Sequence, residues 1–169
     1  MVRLLNLFVD ICLFRAGPQE LPASPFLLWL TAALNLLTGT LVIVDMFGGA
    51  GQALLAQLLD MALMLGLLRA ALTALGKGGR FLQSASALLG AGTFINLITM
   101  PLQLTVGEDP SASLFGELAA LLYLALILWA LLVTAHILRH ALAIRFGAAV
   151  LVALGYFFMV NWLIQLLFV

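Results

Sequence analysis

The groups able to do chemistry in this chain are few, and they stand in apolar surroundings. Asp60 is the clearest, with Gln57 three residues before it on the same helical face. A carboxyl inside a hydrophobic run is costly, and such a residue commonly marks an ion path, a proton relay or a counter-charge for a ligand. Amides and hydroxyls repeat at helical spacing elsewhere: Gly92, Asn96, Thr99 and Gln103, then Asn161 and Gln165, and Thr31, Asn35, Thr38 and Asp45. Counting along the runs, Asp60, Asn96 and Asn161 come out at similar depth, and Glu117 enters its run near the same surface. Two readings follow. In one, Asp60, Asn96, Asn161, Gln57, Asn35 and Glu117 contribute to a polar cavity, open to the outside, that binds a small molecule, an ion or a lipid headgroup. In the other they are glue, because amides and hydroxyls hydrogen-bond across helices in membranes and a neutral Asp60 can donate to Asn96. For the amides glue is the expectation; for Asp60 both readings stand. Proton-coupled transport usually needs a second deep carboxylate or a partner base, and neither accompanies Asp60.

The remaining reactive types carry less. His136 and His140 are one helical turn apart, but no H-E-x-x-H pattern or third ligand goes with them, so no metal is expected. The single Cys12 excludes an internal disulfide or multi-cysteine cluster. Gly76-Lys77-Gly78-Gly79 reads as a tight turn, since it lacks the spacing of a phosphate loop. No catalytic residues and no cofactor are assigned, and the chain is read as non-enzymatic. Arg69, Lys77, Arg80, Arg139 and Arg145 form a basic rim suited to lipid headgroups or to setting topology. Arg69 is nine residues from Asp60 on the opposite face, so it should snorkel to headgroups rather than pair.

Composition says what must position these groups. Of 169 residues, 65% are hydrophobic and 8% charged, with a mean hydropathy of +1.24. No soluble fold of this size hides that much apolar surface, which excludes a soluble enzyme or a nucleic-acid binder. The expected fold is all-α, a polytopic membrane bundle treated as one domain. A span needs about 20 apolar residues. Five stretches qualify: 26–47, 53–75, 81–105, 114–138 and 146–168. Ser24 and Pro25 suit a helix start, and Gly48-Gly49 and Gly76 suit ends. Pro101 should bend the third span near Leu97, and Ser86 and Gly90 permit close helix contact. Short connections predict antiparallel sequential neighbours.

All seven basic residues fall on one side of a five-span layout, while Glu108 and Asp109 lie on the other. The positive-inside rule then puts the N-terminus in the cytoplasm and the C-terminus in the periplasm of an inner membrane. Residues 1–15 read as an amphipathic interfacial helix, with Arg3, Asn6 and Asp10 towards water and Phe8 and Ile11 towards acyl chains. Asn6 and Asp10 interrupt the first apolar run, and Gly17-Pro18 follows it, so a cleaved leader is not expected.

Leu7-Phe8-Val9-Asp10, then Gly17-Pro18-Gln19-Glu20-Leu21-Pro22 leading into Phe26, with five spans behind them, resembles the Yip family of multi-pass membrane proteins, which has bacterial members. The chain lacks the Asp-Leu-Tyr-Gly-Pro signature of the eukaryotic branch. The resemblance implies a role in membrane organisation and carries no catalytic residues. The expected function is a scaffold, an accessory subunit or a lipid-organising factor, with membrane lipids, other membrane proteins or a second copy as partners and no nucleic acid. The alternative is a small transporter or channel component with an outward-facing polar cavity around Asp60.

Overall fold

A computed structural model describes residues 2–106 and 114–168, with side chains from 3–102 and 116–168. The described residues form six α-helices: α1 (Val2–Cys12), α2 (Pro25–Ile43), α3 (Ala50–Ala74), α4 (Phe81–Val106), α5 (Leu114–Leu142) and α6 (Phe146–Phe168). Helices α2 to α6 are long and apolar enough to cross a membrane, so this is an all-α bundle of the multi-pass membrane type. Gln103 lies in α4, but its side chain is outside the described ones, and Glu108 and Asp109 lie outside the described residues.

The helix bounds follow local chemistry. Ser24 accepts from the Leu27 N–H at 3.4 Å, with Pro25 in the first turn of α2. Helix α2 stops at Ile43, short of the glycine pair, and a turn covers the next residues. Helix α3 ends on Gly76 at φ 68°, where the Lys77 N–H reaches back to the Leu72 carbonyl at 2.7 Å. Helix α5 runs four residues past the expected Leu138, to Leu142. Its last carbonyls find partners: Lys77 Nζ donates to Leu142 O, and Arg80 Nη1 donates to His140 O at 3.1 Å. Those donors satisfy groups that would otherwise end the helix unpaired.

Helix α4 is the hub. It packs on α1, α2, α3 and α5, whereas α6 leans on α5 and α3. Every residue from Ser84 to Ala91 is buried. The closest partner of α4 is not its hairpin neighbour α3 but α2. Asn35 meets the Leu89 carbonyl and Thr38 meets Asn96, so α2 and α4 run parallel. The antiparallel neighbours expected from short loops therefore hold for α2–α3, α4–α5 and α5–α6, but α3 and α4 touch only lightly. Small residues on α4 draw α2 in instead.

Helix α1 is amphipathic, with Arg3 and Asn6 exposed. Its apolar face is covered by protein, which corrects the acyl-chain contact expected for Phe8 and Ile11. Phe8 and Ile11 are 5% and 0% exposed. The Phe8 ring fills the notch at Gly90 and lies 6.3 Å from the Phe94 ring. Gly90 is nine residues into α4, or about 14 Å at 1.5 Å per residue. The chain after α1 is then gripped by side chains of α4 and α5. Trp129 Nε1 donates to Cys12 O at 3.0 Å, His136 Nε2 contacts Ala16 O at 2.9 Å, and Gln83 Nε2 donates to Leu21 O at 2.7 Å. Phe14 takes a left-handed φ of 62° at the end of α1, and its ring meets His136 edge-on at 5.3 Å.

Candidate functional site

Inside the bundle lies a cavity of about 240 Å³, to which all five long helices contribute. Asn35 comes from α2, Gln57 and Asp60 from α3, Gly92 and Asn96 from α4, Thr134 from α5 and Tyr156 from α6. Its polar groups form two linked sets. On the α2–α4 side, Gln57 Nε2 donates to Asn35 Oδ1 at 3.3 Å, and Asn35 Nδ2 donates to Leu89 O at 3.2 Å. Asn96 Nδ2 donates to Thr38 Oγ1 at 3.3 Å, and that hydroxyl donates to Leu34 O at 2.8 Å. Gly92 makes the approach possible, because a β-carbon there would lie 2.6 Å from Asn35 Nδ2.

On the α3–α6 side, the Tyr156 hydroxyl bridges both oxygens that Asp60 offers it. It lies 2.5 Å from the Oδ1 carboxyl oxygen and 2.9 Å from the Asp60 backbone carbonyl. Among the described residues Tyr156 is the only side chain bonded to Asp60. Arg69 is elsewhere, its guanidinium 5.3 Å above the Phe81 ring. Among the described residues the carboxyl thus has one phenol donor and no cation against it. The second oxygen of Asp60, Gln57 Oε1 and Asn96 Oδ1 take no bond from the described residues, and they belong to side chains that line the cavity. These are acceptors, and together they suit a ligand that brings donors or positive charge.

Four of the residues singled out from the sequence, Asp60, Asn96, Gln57 and Asn35, therefore meet around one space. Asn161 does not line it. It is exposed, its Nδ2 donates to Phe157 O of its own helix at 2.8 Å, and it stands five residues, or about 7.5 Å, beyond Tyr156 along α6. Glu117 is exposed at the start of α5, also away from the cavity. Tyr156 and Thr134 were not singled out. Tyr156 had a signal: it shares a face of α6 with Ala149, Ala153 and Val160, all buried.

Much of the basic rim is engaged within the protein. Lys77 and Arg80 close the end of α5 as described. Arg139 donates to His140 Nε2 at 3.1 Å and lies 5.7 Å from the Phe146 ring centroid, and Arg145 is exposed at the start of α6. His136 and His140 stack edge to face at 4.8 Å, and no group of three or more candidate metal ligands exists among the described residues. No family model, curated protein or solved structure matches the chain.

Proposed function

We propose that the protein binds a small cation at Asp60 within the bundle, as a small transporter or channel component. The observation that carries this is the Asp60 carboxyl facing a polar cavity with Tyr156 as its only side-chain partner among the described residues and no cation beside it. A buried carboxyl must be either neutral or paired with positive charge, and here the position for a partner opens onto the cavity. The rest of the wall is largely apolar, and its unbonded amide oxygens, on Gln57 and Asn96, complement positive charge. Under this reading the protein is not an enzyme. It sits in a bacterial inner membrane with the basic end cytoplasmic and the C-terminus periplasmic, by the positive-inside rule. The Yip-like layout supports a place in that family.

A second reading has its own observation. Gln57, Asn35, Asn96 and Thr38 donate to one another and to backbone carbonyls across α2, α3 and α4, which is what helix glue does. That favours a scaffold, an accessory subunit or a lipid-organising factor. Thermal unfolding in detergent separates the two when sodium, potassium and methylammonium are varied in turn. Cation binding at Asp60 predicts that one of these raises the melting temperature of the wild type and not of Asp60→Asn, which keeps the shape without the charge. If wild type and Asp60→Asn respond alike to every cation, the binding reading falls and the scaffold reading stands.

A further inference from the structure

A second cavity, of about 340 Å³, lies at the basic end, where the strap after α1 crosses the α3–α4 turn and the end of α5. Its walls are Pro18 and Gln19 of the strap, Arg80, Gln83, Ser84, and the His140–Ala141 end of α5. Arg80 uses Nη1 on the carbonyls of His140 and Ala141, which fixes the guanidinium at the rim. Its Nε and Nη2 have no acceptor among the described residues. His140 accepts from Arg139 at Nε2, so in the neutral ring the hydrogen sits on Nδ1 and remains available to donate. Ser84 is 1% exposed, lines this cavity, and has no hydrogen-bond partner among the described residues. Ser86 Oγ, two residues on, is also without a partner but does not line the cavity. Lys77 and Arg139 add positive charge nearby. Among the described residues, Glu20 is the acidic group that acts on His140, and it accepts the Gly17 N–H at 2.9 Å.

We propose that this cavity binds a phosphate group, carried by a lipid headgroup or free, through Arg80, His140 and Ser84. A guanidinium fork, an imidazole N–H and a buried hydroxyl are the donors that phosphate oxygens take. The cavity is at the end of the bundle where Arg69 and Arg139 lie over aromatic rings. The site is separate from the Asp60 cavity and does not rest on the reading proposed for it.

The test is calorimetric titration of the full chain in a phosphate-free detergent with three probes: dihexanoyl phosphatidic acid, dihexanoylglycerol and inorganic phosphate. Binding of the phosphatidic acid and not of the glyceride supports the site with a lipid source. Binding of inorganic phosphate with comparable affinity supports it with a free-phosphate source. In either case Arg80→Gln should weaken binding by about tenfold or more and Ser84→Ala by about three- to tenfold. Arg80→Gln also removes a cap from α5, so Ser84→Ala, which deletes one oxygen, is the deciding variant. Equal binding of the glyceride, no binding of either phosphate, or wild-type affinity in Ser84→Ala overturns the proposal.

Discussion

Gly90→Ala tests how α1 is held. A β-carbon at residue 90 would lie 2.2 Å from Phe8 Cε1, 2.6 Å from Cδ1 and 2.8 Å from Cζ. Carbon atoms rest at about 3.5–4.0 Å, so the ring must retreat by more than about 1 Å. It is a poor candidate for small adjustment, being 5% exposed with Phe94 beside it. On the helix alone the substitution is favourable by about 0.8–1.0 kcal/mol, because alanine is the better helix former. Overpacking costs about 1–3 kcal/mol, and full loss of a buried phenylalanine about 3–5 kcal/mol. The helix term is the same whether α1 is docked or released, so the docking of α1 should lose about 1–3 kcal/mol, and its released population should rise about 5- to 150-fold.

Cys12 reports that release directly. It is the single cysteine of the chain, it is 3% exposed, and burial pushes its thiol from an ordinary 9.0 up to about 11. Well below 9.0 the docked thiol therefore holds about a hundredfold less thiolate than a released one, and the thiolate is the reacting form. Alkylation at about pH 8 should be slow in the wild type and faster in Gly90→Ala by the factor above. The sign of the pH effect follows. The docked thiol keeps its proton longer, so docking is fully supported below 9.0 and weakens as pH rises towards 11. In a Phe8→Ala background the clash is gone, and Gly90→Ala should add nothing or stabilise slightly. Wild-type alkylation in Gly90→Ala, together with a raised melting temperature, would refute the seating of Phe8 in the α4 notch.

Three further outcomes are expected. Tyr156→Phe removes the hydroxyl from Asp60 and should lower unfolding stability in detergent by about 1–3 kcal/mol, with a smaller loss when Asp60→Asn is already present. Gly92→Ala would set a β-carbon 2.6 Å from Asn35 Nδ2 and break the bond to Leu89 O, costing about 1–3 kcal/mol; Asn35→Ala in the same chain should recover part of that, and no recovery would argue against the contact. A reporter active only in the periplasm should work when fused after Val169 and fail at Gly78; the reverse pattern would overturn the proposed orientation.

What the sequence could show of the Asp60 site depended on one helix at a time. Helical phase puts Gln57 beside Asp60, and it lines up Thr31, Asn35 and Thr38, all of which the fold buries. Phase does not say how one helix is rotated against the next. In α6 the amides drew attention to Asn161, yet the helix is turned by the packing of Ala149, Ala153 and Val160, which brings Tyr156 inward and leaves Asn161 out. The smaller side chains fixed the rotation, and they attract no attention in a search for chemistry. The same limit applies at the basic end. A count of positive residues cannot separate a lysine held for headgroups from one whose ammonium closes a helix, and Lys77 and Arg80 are committed to the carbonyls of α5. Helix α1 shows the limit from the other side. Its apolar face was legible, but lipid and protein offer that face nearly the same apolar surroundings. What decides between them is Gly90, a residue whose only distinction is the side chain it lacks, together with Trp129, His136 and Gln83, whose partners are backbone carbonyls that carry no mark in the sequence.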